Sequence, residues 1–219
     1  MGRSDAVAAV FDCDGTLVDS EPLAGEAWRR ALKPYGYAVT DEDLANTIGI
    51  PYARTHAYLA ERAEIPTAAA LWPELSRELF ALIDAELKPF PDALQAVEDL
   101  RARGVAIAVA SSSPRERLDR TLARAGLHFE VTIAGDEVEH GKPAPDMFLL
   151  AAERLGVEPA KCVVIEDSPP GVAAGKAAGM PTLGVQRVPH TDLTQADRIV
   201  ETVTAKDILA MLRAWTRVV

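Results

Sequence analysis

The chain has 219 residues, 48% of them hydrophobic but only 5% aromatic, and 23 Lys plus Arg against 33 Asp plus Glu give a formal net charge of -10. That is enough apolar material for a packed core with a modest inserted domain, and the charge balance argues against a nucleic-acid binder while leaving room for a local positive site. Two cysteines, Cys13 and Cys162, are too few for a disulfide framework. No charged-then-apolar leader precedes the first apolar run, and no run reaches the ~18 residues of a membrane span, so a reduced, cytoplasmic setting without membrane or nucleic-acid partners is expected.

Residues 7–11 form the first short apolar run, and similar runs follow at 105–110, 131–134, 162–165 and 182–185. Most are apolar at consecutive positions, as in parallel strands covered on both faces. Helical patterns over 92–103, 115–125, 146–155 and 171–178 separate them. Strand and helix alternate from residue 88 onward, which predicts an α/β, doubly wound, Rossmann-like parallel sheet. Residues 19–86 break the rhythm: helical stretches at 21–32, 54–64 and 73–86 are interrupted by turns at Tyr35-Gly36-Tyr37 and Ile48-Gly49-Ile50-Pro51. The segment is far longer than a crossover needs, so the expectation is a catalytic core of 1–18 and 87–219 with an inserted all-helical domain at 19–86. Crossover helices belonging to the sheet are the alternative.

In an open parallel sheet, ligands bind beyond the carboxyl ends of the strands. There the sequence delivers Asp12-Cys13-Asp14-Gly15-Thr16 after the first run, Ser111-Ser112-Ser113 after the second and Glu166-Asp167-Ser168 after the fourth. Asp12 and Asp14, two residues apart, point the same way on an extended backbone. Carboxylates crowd together only if a cation compensates, and oxygen-only donors select a hard ion such as Mg²⁺. A plain Asp-Gly turn is the alternative for the first cluster alone. Ser113-Pro114-Arg115-Glu116 reads as a capping box, giving Ser113 a structural duty; Ser111, free of that duty, is placed to hold a phosphate oxygen. Lys142, in a proline-rich loop before a helix, is either a solvated surface charge or the fixed cation that a buried carboxylate nucleophile beside phosphate needs. Cys13 alternates away from the two aspartates and reads as a packing residue, as does Cys162.

Together these residues resemble the haloacid dehalogenase superfamily, and most closely its beta-phosphoglucomutase and sugar-phosphate phosphatase subgroup with a helical cap. The likeness runs through 11–20 (FDCDGTLVDS), Ser111, Lys142 in Gly-Lys-Pro-x-Pro-Asp, and Val164-Ile165-Glu166-Asp167-Ser168. The resemblance implies that Asp12 is the nucleophile forming an aspartyl phosphate, that Asp14 serves as acid and then base, and that Ser111 and Lys142 bind the phosphoryl group. It implies a Mg²⁺ held by Asp12, Asp14 (through its carbonyl) and Asp167, with Glu166 at or close to that shell. Thr16, Ser112, Glu21 and Arg54 are the candidate substrate contacts, with Lys33 and Arg77 as weaker ones.

The expected reaction is hydrolysis of a small phosphate monoester, a sugar or sugar-acid phosphate, by a monomer. A mutase resembling this chain carries His where Ala24 stands and tends to lack Thr16, so hydrolysis is favoured over mutation. Dehalogenation does not require Asp14. A receiver-like signalling domain would not carry so long an insert, and a silent binding protein would not keep Asp12, Asp14, Lys142 and Asp167 together.

Overall fold

Residues 8–11 are completely buried on both faces, and in the computed structural model, which describes residues 6–47 and 52–215, they form a central strand. Along the chain the elements are β1 (Ala8–Phe11), α1 (Glu21–Leu32), α2 (Asp41–Ala45), α3 (Tyr52–Ala60), α4 (Ala68–Glu86), α5 (Pro91–Ala102), β2 (Ala106–Ala110), α6 (Arg115–Ala125), β3 (Val131–Ile133), α7 (Asp146–Leu155), β4 (Cys162–Glu166), α8 (Pro169–Ala177), β5 (Thr182–Val185), β6 (Arg198–Val200) and α9 (Ala205–Trp215). They divide into one unit of Met1–Asp19 with Pro89–Val219 and a second of Ser20–Lys88. The divisions fall one residue after the expected first boundary and two after the second.

In the first unit every strand pair is parallel, in the order β3-β2-β1-β4-β5-β6. Beyond β1 the order reverses, so the crevice at the carboxyl ends of β1, β2 and β4 is the topological switch point where such sheets bind ligands. The register sets Phe11 beside Val109 of β2 and Ile165 of β4, and Asp12 N–H donates to the Ile165 carbonyl at 2.9 Å. The next residues on all three strands therefore emerge side by side. One face of the sheet is sealed by Met147, Phe148, Ala151 and Ala152 of α7 with Ala174 of α8, all essentially inaccessible.

The second unit is helical among the described residues. Leu71, Leu75, Leu79, Leu82 and Ile83 of α4 recur at three- and four-residue spacing and are buried, as are Leu23, Ala27, Trp28 and Ala31 of α1, the helix it packs against. Fully burying each of α4's five apolar residues contributes about 1.5–3 kcal/mol. Trp28 stacks on Tyr52 at 5.5 Å, and Trp72 meets the same ring in an edge arrangement at 4.8 Å. The expected turn at Tyr35-Gly36-Tyr37 is present, with Gly36 at a φ of 75°. The expected turn at Ile48-Gly49-Ile50-Pro51 lies outside the described residues.

Four expectations are corrected. The helix placed at 73–86 begins at Ala68, because Thr67 accepts the Ala70 N–H and starts it one and a half turns before Pro73. The helix placed at 54–64 runs over Tyr52–Ala60. The short α2, closed by a capping box between Thr40 and Asp43, had no apolar stripe to announce it. The edge strand β6 reads Arg-Ile-Val and is half exposed, so no apolar run marked it, and the sheet has six strands instead of five.

Candidate active site

Asp12 leaves β1 directly into the crevice, with its side chain only 9% exposed. The Lys142 ammonium lies between it and Glu166: it donates to Asp12 Oδ1, to Glu166 Oε1 at 2.8 Å and to the Ala110 carbonyl at the end of β2 at 3.1 Å. The lysine expected either at the surface or at the site is thus in the site, 5% exposed. Burial alone would push its pKa down, but Asp12 and Glu166 outweigh that and hold it well above the ordinary lysine value. Burial first, then Glu166 and Asp167, push the Asp12 carboxyl upward against the pull of Lys142. Asp167 is pushed up to about 8, chiefly by burial and then by Glu166, while the Thr16 hydroxyl, 2.9 Å from Asp167 Oδ1, pulls the other way.

Two glycines let these groups approach. A Cβ on Gly15, whose φ is +83°, would lie 2.1 Å from Asp167 Oδ2, and one on Gly171 would lie 1.6 Å from Glu166 Oε1. Glu166 is further held by Ser168, whose N–H and hydroxyl both donate to Oε2 at 2.7 and 2.8 Å, and the same hydroxyl caps α8.

Asp14 faces a different set of partners. Ser113 Oγ donates to Asp14 Oδ2 at 2.8 Å, Ser111 Oγ approaches the same oxygen at 3.4 Å, and Arg117 Nη2 donates to Oδ1 at 2.9 Å. The capping box expected of Ser113 is therefore not made. The first helical N–H, that of Arg115, is bound instead by the carboxylate of Asp136 from beyond β3, at 3.0 and 3.2 Å, which leaves the Ser113 hydroxyl for Asp14. Ser111 Oγ also accepts the Ser113 N–H at 3.1 Å, so Ser111 does have a local duty. Ser112 is exposed, and its backbone packs so tightly on Gly135 that a Cβ there would lie 2.3 Å from its carbonyl oxygen. Arg117 escaped the sequence reading because its partner lies 103 residues away and only the fold brings them together.

The core motif residues thus gather at the carboxyl ends of the strands. Glu21 and Arg54 belong to the helical unit, on α1 and α3, where Arg54 is exposed. Lys33 is exposed, and Arg77 pairs with Glu74 and Glu78 on the surface of α4. Cys13 is buried, and burial followed by Asp14 and Asp12 pushes its thiol up; Cys162 is pushed to about 12 by burial. Both are packing residues, as expected.

Among the described residues no three His, Cys, Asp or Glu side chains converge as a ready cation cage. Of the four residues expected at a metal, the Glu166 carboxylate is held by Lys142 and Ser168 and Asp12 also accepts from Lys142, while Asp14, expected there through its carbonyl, has its carboxylate held by Arg117 and Ser113. The buried carboxylates of Asp12 and Glu166 share one ammonium, and the half-buried Asp167 lies beside them, so acids outnumber the cation. All the donors are oxygens, so the residues present fit a hard divalent ion.

Residues 7–179 match the haloacid dehalogenase-like hydrolase family. A phosphorylated carbohydrates phosphatase of Thermotoga maritima is 39% identical over 177 residues, 79% of this chain and 82% of that protein. A fructose-1-phosphate phosphatase of Escherichia coli is 35% identical over 182 residues, 81% of this chain and 95% of that one. A crystal structure of a protein provisionally called a beta-phosphoglucomutase, also from Thermotoga maritima, superposes with a TM-score of 0.79 at 33% identity, covering 95% of this chain and 99% of that one. With the motif residues assembled at the switch point of the sheet and the match running through most of the chain, the protein belongs to the haloacid dehalogenase-like hydrolases.

Proposed function

We propose that the chain is a Mg²⁺-dependent phosphatase of a phosphorylated carbohydrate, a sugar or sugar-acid phosphate, acting through an aspartyl phosphate on Asp12. The observation that carries this reading is the buried Asp12 carboxylate beside the fixed ammonium of Lys142, at the end of the central strand. An Asp12 oxygen attacks phosphorus, the ester P–O bond breaks, and the leaving oxygen takes a proton from Asp14. Asp14 then takes a proton from water as that water attacks the phosphorus, freeing phosphate and restoring Asp12. The same carboxyl group serves twice because each step leaves it in the form that the next requires. Lys142 and the Ser111 hydroxyl hold the transferring phosphoryl oxygens. Asp12 and Asp167 would hold Mg²⁺, which when bound supplies positive charge against the repulsion between a carboxylate and a phosphate dianion.

The names of the phosphatase relatives support the substrate class. The helical unit, with Glu21 and Arg54, supplies the substrate contacts as a cap in this reading. The beta-phosphoglucomutase-like neighbour favours a second reading, a phosphomutase, against which stands Ala24 on α1.

The test is phosphate release from a panel of sugar and polyol phosphates, with Mg²⁺ and with chelator, for wild type and Asp12→Asn. Metal-dependent release that Asp12→Asn abolishes supports hydrolysis. Conversion of beta-glucose 1-phosphate into glucose 6-phosphate without net phosphate release would replace the phosphatase reading by the mutase one.

A further inference from the structure

Arg117 sits in the first turn of α6, where a cation opposes the helix dipole. Its side chain is nonetheless drawn in from solvent to 22% exposure, and its Nε is buried without a hydrogen-bond partner. An unsatisfied buried donor is destabilising. An arginine held so unfavourably needs a compensating contact, and its Nη2 makes one at 2.9 Å to Asp14 Oδ1. Ser113 Oγ donates to the other oxygen of the same carboxylate at 2.8 Å. Both Asp14 oxygens are therefore held by donors, which fixes the position and the plane of the carboxylate.

We propose that Arg117, with Ser113, is a positioning residue for the second half of the reaction: it fixes the Asp14 carboxylate as the base that deprotonates the attacking water. The inference rests on the phosphatase reading given above. In the step concerned, the water oxygen bonds to phosphorus, its proton passes to Asp14, and the bond between phosphorus and Asp12 breaks with its electron pair returning to Asp12. Arg117 touches neither phosphorus nor water, and it acts only through Asp14.

The consequence is kinetic. An ester with a good leaving group, p-nitrophenyl phosphate, needs no proton from Asp14 to phosphorylate Asp12, so losing Arg117 leaves that step alone and slows the hydrolysis that follows. In stopped flow with Mg²⁺, Arg117→Met should release one p-nitrophenol per site in a burst at the wild-type rate. A steady state slowed about 10–100-fold should follow, a part of what general base catalysis typically supplies. KM should fall in step with kcat, keeping kcat/KM within about threefold of wild type. Arg117→Lys, which keeps the cation, should recover part of kcat and retain the wild-type urea midpoint. In an Asp14→Asn background, removing Arg117 should have no further effect on kcat.

A merely structural arginine predicts otherwise: kcat/KM falling together with kcat, no burst, and a further loss in the Asp14→Asn background. Any of these in a folded variant overturns the inference while leaving the phosphatase reading standing. A folded, Mg²⁺-supplied wild type that releases no p-nitrophenol overturns the phosphatase reading itself, and the inference falls with it.

Discussion

Replacing Lys142 with methionine keeps the bulk of the side chain and removes the ammonium that Asp12 and Glu166 share. All three side chains are at least nine-tenths buried, so the variant leaves two carboxylates of like charge in a site closed to water. Breaking a buried pair by deleting one partner costs about 3–5 kcal/mol. For a domain of this size each kcal/mol moves Tm by about 2–4 °C, so the expected fall is about 6–20 °C. The loss should depend on pH in a definite direction. Burial, with Glu166 and Asp167, already raises Asp12 in the native chain against the pull of Lys142, so removing that pull raises it further. A raised carboxyl contributes stability below its unfolded pKa of about 4 and loses it as pH rises toward the folded value. The gap between wild type and Lys142→Met, measured by urea unfolding in chelator, should therefore be wider at pH 8 than at pH 5. A gap under about 1 kcal/mol, or one that does not change between those pH values, would refute the reasoning.

Asp167 is pushed up to about 8, so its neutral form stabilises the metal-free fold below about pH 4 and that contribution drains away as pH climbs toward 8. Asp167→Asn should flatten the fall of Tm across that range in chelator and abolish the rise of Tm expected of wild type on adding Mg²⁺, both read by calorimetry. Gly15→Ala would place a Cβ 2.1 Å from Asp167 Oδ2 at a positive φ, so a loss of about 1–3 kcal/mol in urea, with phosphate release falling further than the fold does, is expected. Glu137 is held down to about 2: burial opposes ionisation, but Arg115, the Ala134 N–H and Arg154 outweigh it. Its contribution is present above the ordinary glutamate pKa of about 4 and lost as pH falls toward 2, so Glu137→Gln should cost about 1–2 kcal/mol at pH 7 and little at pH 2.

What could be read from the sequence was whatever is encoded locally. Five strands fall on short, mostly apolar runs and lie within two residues of their expected bounds, most plainly β1 and β4, whose residues are all buried. Asp12, Ser111, Lys142 and Glu166 were legible because each stands at or near the end of such a run or in a distinctive loop. Ser113 was misread for an equally local reason. The string Ser-Pro-Arg-Glu satisfies the capping pattern, but Asp136, from beyond β3, offers two carboxylate oxygens to the Arg115 N–H and takes that duty over. Arg117 and β6 were missed because nothing near them in the chain signals their partners: a first-turn arginine looks like a solvated charge, and an edge strand with one face in solvent lacks the apolar run of its neighbours.

Lys142 shares itself between two carboxylates and makes no hydrogen bond to Asp167, which accepts from the Thr16 hydroxyl and from a backbone N–H. A site built for stability alone would have replaced one of these acids by an amide, since burying an unmatched carboxylate raises its pKa and weakens the fold at neutral pH. Retaining all three creates a place where a divalent cation and a phosphate dianion are worth more than they are in water. Asp14 stands outside that excess, matched by Arg117 and Ser113, and so keeps an orientation of its own while the charge beside it is being neutralised. In the proposed mechanism this separation would divide the labour between the two aspartates of one short loop: Asp12, where the charge is crowded, as the nucleophile, and Asp14, where it is balanced, as the group that handles protons.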